Sequence, residues 1–152
     1  MEAGKGMIEI RLMQKDDIPQ IAQLEKETFS LPWNQKALEE SFLKETYLFI
    51  AASFQKQVIG YIGMYIVLEE GNITNIIVSK KYRRNKIAAR MLTDLFLEAK
   101  KRGVSRITLE VRKSNEGAIR LYENAGFNQT GVRRNYYEKP EEDAIIMWKE
   151  DI

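Results

Sequence analysis

The sequence predicts an α/β domain in which helices flank a mixed central sheet of about seven strands. Its most informative segment is residues 72–127, where a strand, a basic turn, an amphipathic helix, a second strand and a second helix follow one another. In the first helix Ile87, Met91 and Leu95 recur at helical spacing. In the second strand, residues 106–111, apolar and polar residues alternate. Strands that alternate with helices in this way are typical of a sheet with helices packed on it.

Four elements are predicted before the central strands. Alternating apolar residues predict a first strand at residues 8–12. A helix follows, which Asp16 or Asp17 is expected to cap and which carries Pro19 in its first turn. Asn34 is expected to cap a second, shorter helix. The next strand is predicted at Tyr47–Phe54.

The remaining strands complete the predicted order of elements. One strand is predicted at residues 58–67, and a polar turn at residues 69–72 leads into the central segment. Two more strands are predicted after that segment, near residues 128–133 and 144–149. The order is therefore strand, two helices, three strands, helix, strand, helix and two strands.

Length and composition predict one domain, residues 7–152, preceded by a disordered tail at residues 1–6. With 44% hydrophobic and 30% charged residues the chain resembles an ordinary globular protein. Its apolar runs are too short to span a membrane and no signal sequence precedes them, so we expect a cytoplasmic protein. A net charge of +2 gives no reason to expect direct nucleic-acid binding. We expect a monomer or a weak dimer.

The residue types that are missing limit the chemistry. The chain contains no cysteine and no histidine. This excludes disulfides, thiol nucleophiles, Ser-His or Cys-His triads and histidine-based zinc sites. Acid–base chemistry must then come from carboxylates, tyrosines, lysines or a bound cofactor.

The turn before the amphipathic helix is strongly basic, since five of residues 80–86 are lysine or arginine. A helix N-terminus offers free backbone N–H groups and the positive end of the helix dipole, which together suit a phosphate. Lysine and arginine in a surface turn are also often merely solvated. The turn by itself leaves both interpretations open.

Several motifs carry a resemblance to a known family. Residues 82–88, Tyr-Arg-Arg-Asn-Lys-Ile-Ala, resemble the pyrophosphate loop of the GNAT acetyltransferases, whose pattern is Gln/Arg-x-x-Gly-x-Gly/Ala. Further motifs resemble one branch of this family in particular, the RimI-type ribosomal-protein alanine N-acetyltransferases. That similarity lies in Leu109-Glu110-Val111-Arg112, Ser114-Asn115, Ala118-Ile119, Leu121-Tyr122, Gly126-Phe127, Pro32-Trp33, Tyr136-Tyr137 and residues 142–147. The resemblance covers roughly residues 7–147.

The resemblance implies the GNAT fold, acetyl-CoA as co-substrate and no metal. It implies that backbone N–H groups of residues 84–89 hold the pyrophosphate. It also implies that the sheet opens beside residues 76–78, where the N–H of Val78 faces the thioester carbonyl, and that Asn115 contacts CoA while capping the last helix. The cofactor-binding residues so implied are Ile76, Ile77, Val78, Arg83, Arg84, Asn85, Lys86, Ile87, Ala88, Ala89, Arg90 and Asn115. Each of these residues could instead have a purely structural role, such as packing in the core or capping a helix.

Two residues are the catalytic candidates. By resemblance Glu110 is the base that removes a proton from the amine, whereas the alternative is a solvent-facing glutamate paired with Arg112. A carboxylate is the natural base in a chain without histidine. Tyr122 would protonate the departing CoA thiolate, and its alternative is packing on a helix face. No covalent acyl-enzyme is expected.

The acceptor is expected to be a protein α-amine, in the first place the N-terminal alanine of a ribosomal protein. An α-amino group titrates near pH ~8 and lysine near ~10.4, so a glutamate base suits the former better. Trp33, Tyr136 and Tyr137 are weaker candidates for substrate binding, since surface or core packing explains them as well. The alternatives are an acetyltransferase for a lysine or small-molecule amine, or a degenerate acyl-CoA-binding protein without activity.

Lys86 departs from the family pattern, which has glycine at this position. Glycine in a phosphate loop serves either a positive φ or a close approach to the ligand. We expect the loop to keep its course with a negative φ at Lys86, and the ammonium group to compensate for the missing glycine.

Overall fold

The computed structural model describes residues 7–83 and 85–152, so the tail predicted at residues 1–6 lies outside the described residues. Its elements follow the predicted order. They are β1 (Ile8–Leu12), α1 (Ile18–Thr28), α2 (Gln35–Phe42), β2 (Tyr47–Phe54), β3 (Gln57–Val67), β4 (Glu70–Val78), α3 (Ile87–Lys101), β5 (Arg106–Arg112), α4 (Glu116–Asn124), β6 (Asn128–Tyr137) and β7 (Glu142–Lys149). Within the described ranges, no helix combines the length and the apolar character needed to cross a membrane.

The strands form one mixed sheet of seven in the order β1-β2-β3-β4-β5-β7-β6, which confirms the predicted fold class. Five neighbouring pairs are antiparallel and β4–β5 is parallel. The parallel pair needs a long crossover, and α3 supplies it. This pair at the centre of the sheet determines where the functional site lies.

Each face of the sheet carries its own apolar core. Ile18, Ile21 and Leu24 of α1 and Leu38 of α2 form one cluster with the strand residues that face them. The apolar side of α3, together with α4 and Phe127, forms a larger cluster on the opposite face. Successive side chains of β2 alternate between the two clusters, as expected for a central strand covered on both sides. The sheet thus separates an α1–α2 side from an α3–α4 side.

Two helices begin at asparagine caps, as predicted. Asn34 Oδ1 accepts a hydrogen bond from the N–H of Ala37 at 2.8 Å, at the start of α2. Asn115 Oδ1 accepts one from the N–H of Ala118 at 3.2 Å, at the start of α4. Each cap supplies an acceptor to a backbone donor that the helix leaves free.

Two local predictions are wrong. The Asp17 carboxylate does not cap α1, because it accepts hydrogen bonds from the Arg11 guanidinium and the Gln14 N–H, both at 2.7 Å. Burial raises the pKa of Asp17, but these hydrogen bonds outweigh it and hold the pKa below its usual value. Of the polar turn predicted at residues 69–72, only Glu69 lies in a turn; residues 70–72 belong to β4, because pairing with β3 and β5 keeps them extended.

Candidate active site

The sheet opens between its two parallel strands. β4 and β5 pair at three positions, from Glu70 opposite Arg106 to Asn72 opposite Thr108. Beyond Asn72 the strands separate, and a cavity of about 1390 Å³ lies at the opening. Its walls come from the α1–α2 loop, β4, α3, β5, α4 and the end of β6, so both sides of the sheet contribute. The volume exceeds that of an ordinary small-ligand pocket and suits a large cofactor with part of a second substrate.

The N-terminus of α3 faces this cavity with free backbone donors. No side chain caps this helix, in contrast to α2 and α4. The N–H of Arg90 donates to the carbonyl of Lys86 at 3.1 Å, so the N–H groups of Ile87, Ala88 and Ala89 have no acceptor within the helix. All three residues line the cavity. Free donors and the positive end of the helix dipole together favour an anionic ligand here.

Lys86 precedes α3 in the left-handed conformation, with φ 57° and ψ 26°, so the expectation of a negative φ is wrong. A lysine in this region costs about 1–2 kcal/mol relative to the right-handed conformation. The chain therefore has the backbone turn for which glycine is normally used, built with a lysine. Lys86 also lines the cavity.

The other loop residues differ in where they lie. Arg83 lines the cavity, and its Nε donates to the carbonyl of Val78 at 3.1 Å. Asn85 does not line it and stabilises the turn instead, donating from Nδ2 to the carbonyl of Tyr82 at 2.9 Å. The guanidinium of Arg90 reaches the opposite way, to the carbonyl of Ile8 in β1 at 3.1 Å. The predicted contact from Arg84 lies outside the described residues.

The open edge of β4 supplies backbone donors to the cavity. Ile76, Ile77 and Val78 all line it. On the other edge, the N–H of Ser79 donates to the carbonyl of Ile59 in β3 at 2.7 Å. Because successive N–H groups of a strand point to opposite edges, the N–H of Val78 points to the gap that β5 has left.

Glu110 lies on the opposite lip of this opening. It is two residues beyond the last β4–β5 pair, it lines the cavity, and its side chain is 26% exposed. Its Oε2 accepts a hydrogen bond from Nε of Arg133 in β6 at 3.1 Å, and the Arg133 side chain is 57% exposed. The alternative pairing with Arg112 is wrong, because Arg112 pairs with Glu142 at 3.2 Å. The carboxylate is thus within reach of both solvent and the cavity.

Tyr122 is both buried and in contact with the cavity. It is 4% exposed, and its ring packs edge-on against Phe127 with 5.7 Å between the centroids. Burial, reinforced by Tyr137, raises the pKa of its hydroxyl above the ordinary value. The hydroxyl is therefore protonated at neutral pH, as that of an ordinary tyrosine is, and is a weaker acid than usual. Asn115 lines the same cavity while it caps α4.

Three aromatic side chains line the same cavity as Glu110. Trp33 belongs to the α1–α2 loop, while Tyr136 and Tyr137 end β6 and pack edge to face with centroids 5.0 Å apart. Burial, then Tyr136 and Glu110, raises the pKa of Tyr137 to about 12. The structure thus brings the three weaker substrate candidates to the cavity that Glu110 also lines, and, besides burial, the Glu110 charge raises the pKa of both Tyr136 and Tyr137.

Two anchors hold this aromatic wall in place. The Arg112 guanidinium lies 4.4 Å from the centre of the Tyr137 ring and donates to the carbonyls of Glu138 at 3.1 Å and Pro140 at 2.9 Å. The hydroxyl of Ser30 in the α1–α2 loop donates to the carbonyl of Lys139 at 2.9 Å. The α1–α2 loop and the β6–β7 hairpin therefore meet over the cavity.

A glutamate that no sequence motif indicated lies buried beside the cavity. Glu25 of α1 is fully buried, and its carboxylate accepts from the hydroxyl of Tyr61, the amide of Asn75 and the N–H of Trp33. Burial, reinforced by the Glu25 charge, raises the pKa of Tyr61, so its hydroxyl keeps its proton and donates. The available signal was position, since residue 25 falls on the apolar face that Ile18 and Ile21 define.

A sheet that opens between parallel strands beside an uncapped helix N-terminus is the arrangement expected of a GNAT acetyltransferase. The model of the Acetyltransferase (GNAT) family matches residues 18–127. The chain belongs to this family, as the motifs predicted.

Two similar proteins match this chain over nearly their whole length. A ribosomal protein bS18-alanine N-acetyltransferase of Escherichia coli K12 is 36% identical over 140 residues, which are 91% of this chain and 94% of the relative. A crystal structure of the ribosomal-protein-S18-alanine N-acetyltransferase from Escherichia coli matches with a TM-score of 0.87 and 35% identity, over 95% of this chain and 94% of that one. The predicted similarity to the RimI-type branch is thereby confirmed.

A third match shows the fold alone. It is a GNAT family acetyltransferase from Elizabethkingia anophelis whose structure has acetyl-CoA bound. Its TM-score is 0.75 at 22% identity, over 95% of this chain and 98% of that one.

Proposed function

We propose that the protein transfers the acetyl group of acetyl-CoA to the α-amine of a protein N-terminus, specifically the N-terminal alanine of a ribosomal protein. The observation that carries this proposal is the similarity, over nearly the whole chain, to the Escherichia coli bS18-alanine N-acetyltransferase. The cavity supports the proposal, because residues from both sides of the sheet line it. Free backbone N–H groups line its α3 side, and aromatic side chains line its α1–α2 side. We expect the reaction to take place in the cytoplasm.

The α3 side of the cavity fits the CoA portion of acetyl-CoA. The free N–H groups of residues 87–89 suit the pyrophosphate, and Lys86 adds a positive charge beside them. The open edge of β4 suits the amide groups of the pantetheine, and we expect the N–H of Val78 to polarise the thioester carbonyl. Two substrates then meet in the gap between β4 and β5.

The transfer needs one base and one acid. Glu110, directly or through a water, takes a proton from the amine as its nitrogen attacks the thioester carbon. The new C–N bond forms, the C–S bond breaks, and the departing sulfur receives the proton that Tyr122 donates. Burial raises the pKa of this hydroxyl and so makes it a weaker acid, which means that the donation depends on close placement of Tyr122 beside the sulfur.

The acceptor enters from the α1–α2 side, where Trp33, Tyr136 and Tyr137 form the wall beside Glu110. The hydrogen bond between Ser30 and Lys139 joins the two segments that border this approach. The preference for a peptide terminus over a small-molecule amine rests on the similarity to the bS18-alanine N-acetyltransferase.

Mass spectrometry of acetylated peptides tests the proposal. The protein is incubated with acetyl-CoA and a synthetic ribosomal-protein N-terminal peptide that begins with alanine. The matched control is the same peptide with a blocked α-amine and free lysines. We expect one acetyl group on the first peptide and none on the control. Acetylation of the lysines, or of small amines only, would overturn the acceptor class, and CoA binding without any turnover would favour the non-catalytic alternative.

The Glu110→Gln variant tests the base in the same assay. We expect turnover to fall by roughly 10²–10⁴-fold while the Kd for acetyl-CoA stays nearly constant, since the residue does not line the CoA side. Turnover close to that of the wild type would remove Glu110 from the mechanism.

A further inference from the structure

Glu25 is a buried carboxylate that neutral groups alone hold in place within the described residues. Its Oε2 accepts from the hydroxyl of Tyr61 at 2.5 Å and from Nδ2 of Asn75 at 2.7 Å, and its Oε1 accepts from the N–H of Trp33 at 2.9 Å. Burying a carboxylate is costly unless hydrogen bonds replace its water. Two of its three donors, Asn75 and Trp33, line the cavity, so this carboxylate links the core of α1 to the acceptor side.

The carboxylate fixes the orientation of the Asn75 amide. Asn75 donates from Nδ2 to the Glu25 carboxylate, so its Oδ1 is turned away from Glu25. No side chain or backbone group of the described residues donates to that Oδ1, yet none of their buried side-chain polar atoms lacks a partner. The oxygen is therefore accessible, and because Asn75 lines the cavity, it offers there an acceptor that none of the described residues uses.

Counted from the last β4–β5 pair, Asn75 and Glu110 are each two pairing positions further along their strands. The last β4–β5 pair is Asn72 with Thr108, and Glu110 is two residues beyond Thr108. In β4 a bulge at Thr74 makes Asn75 only two pairing steps beyond Asn72. Asn75 contacts α1, and Glu110 alternates with core residues of the α3–α4 side, so both side chains face the α1–α2 side.

We propose that Asn75 binds the acceptor amine through Oδ1, and that Glu25 is a positioning residue that keeps this oxygen turned to the cavity. The inference rests on the proposed function. A neutral amine has two N–H groups and one lone pair. Asn75 accepts from one N–H, Glu110 takes the proton of the other, and the lone pair is then directed at the thioester carbon.

The Glu25→Gln variant reverses the proposed orientation without changing the shape of the side chain. The N–H of Trp33 can only donate, so the glutamine oxygen must face it and the glutamine NH₂ must face Asn75. The Asn75 amide then turns over and presents NH₂ to the cavity. Asn75→Ala removes the oxygen altogether.

The test is a double-mutant cycle on acceptor kinetics. We expect Asn75→Ala and Glu25→Gln each to lower kcat/KM for the acceptor peptide by about 10- to 100-fold, with the Kd for acetyl-CoA unchanged. In the double variant we expect no further loss beyond that of Asn75→Ala, because Glu25 acts through Asn75.

Asp17→Asn is the matched control. Asp17 is also a buried carboxylate at α1 that accepts a backbone N–H, but its partners Arg11 and Gln14 do not line the cavity. We expect this variant to lower Tm and to leave kcat/KM per folded molecule unchanged. A purely structural role for Glu25 would make the two variants behave alike.

Three results would overturn the inference. The first is an unchanged kcat/KM for the acceptor in Asn75→Ala. The second is a Glu25→Gln substitution that lowers kcat/KM as much in the Asn75→Ala variant as in the wild type. The third is a loss of acetyl-CoA affinity in these variants as large as the loss in acceptor kcat/KM. Asn75→Ala decides the binding role by itself if Glu25→Gln does not fold. A wild-type protein that acetylates only small amines overturns the proposed acceptor and not this inference, since the cycle then runs on that amine. Absence of turnover with every amine overturns both.

Discussion

Lys86 holds the left-handed backbone conformation directly before α3, at the helix start that faces the cavity with free donors. Lys86→Gly keeps this turn and removes strain of about 1–2 kcal/mol, partly offset because glycine loses more chain entropy on folding. We expect an unchanged or slightly higher Tm. The Kd for acetyl-CoA should change by less than about tenfold, since the backbone donors stay in place.

Lys86→Ala separates charge from strain, because it removes the ammonium group and keeps the β-carbon. If the charge contributes to binding, both variants weaken it alike, and salt raises the Kd more steeply in the lysine form. Binding that tightens by orders of magnitude in Lys86→Gly and not in Lys86→Ala would show instead that the strained lysine loosens the loop.

Tyr122→Phe distinguishes the acid from a packing residue. The ring that packs against Phe127 is retained, so we expect an unchanged Tm and an unchanged Kd for acetyl-CoA. Turnover should fall by about 10²-fold or more, because the departing thiolate loses its proton donor. Stopped-flow or steady-state rates with circular-dichroism melts provide the measurement. A lower Tm at a normal rate per folded molecule would leave Tyr122 with packing alone.

Single residues could be predicted from the sequence where a local pattern contains them. Glu110, Tyr122 and Asn115 each belong to a short motif, and the structure brings all three to one cavity. Glu25 and Asn75 are 50 residues apart, and only the packing of α1 on the sheet joins them. The backbone angle of Lys86 could not be predicted either, because the fold imposes it against the preference of the side chain.

At the scale of elements, the helix N-termini differ in whether a side chain caps them, and the sequence predicted part of this difference. Asn34 and Asn115 cap α2 and α4 and were visible in the sequence. The basic turn before α3 was visible too, but its lack of a side-chain cap is a structural fact. β6 extends to Tyr137, four residues beyond the prediction, because pairing with β7 keeps its polar sequence extended.

The junction between β5 and the β6–β7 hairpin predicts a dependence of stability on pH. Hydrogen bonds from Ser114, then from Arg112, lower the pKa of Glu142. A carboxyl whose pKa is lower in the folded protein stabilises it above the unfolded pKa, and this stabilisation is lost as pH falls through the folded value. We expect Glu142→Gln to lower Tm at pH 7 and the difference to vanish in acid.

The neighbouring Glu141→Gln is the control for this experiment, because Glu141 is exposed. Thermal melts from pH 7 down to pH 3 of both variants and the wild type supply the data. A Tm difference between wild type and Glu142→Gln that persists at the acid end would contradict the assignment.

At the scale of the whole molecule, the fold brings two half-sites together at one break in the sheet. The alternation of β4 and β5 gives each strand one face towards α1–α2 and one towards α3–α4. Acetyl-CoA is accordingly proposed to approach from the α3 side and the amine from the α1–α2 side. The order of elements was predictable from periodicity and an opening beside residues 76–78 from the family resemblance, whereas the end of pairing at Asn72 depends on contacts between distant strands.

The most direct test of this account is a crystal structure with a bisubstrate compound, in which CoA is joined to the α-nitrogen of a ribosomal-protein N-terminal peptide. We predict that its pyrophosphate contacts the N–H groups of residues 87–89 and that the junction lies between β4 and β5. The first peptide residues should lie beside Trp33 and Tyr136, with the α-nitrogen near Glu110. A compound with its peptide on the α3–α4 side, or with its α-nitrogen remote from Glu110, would contradict the account.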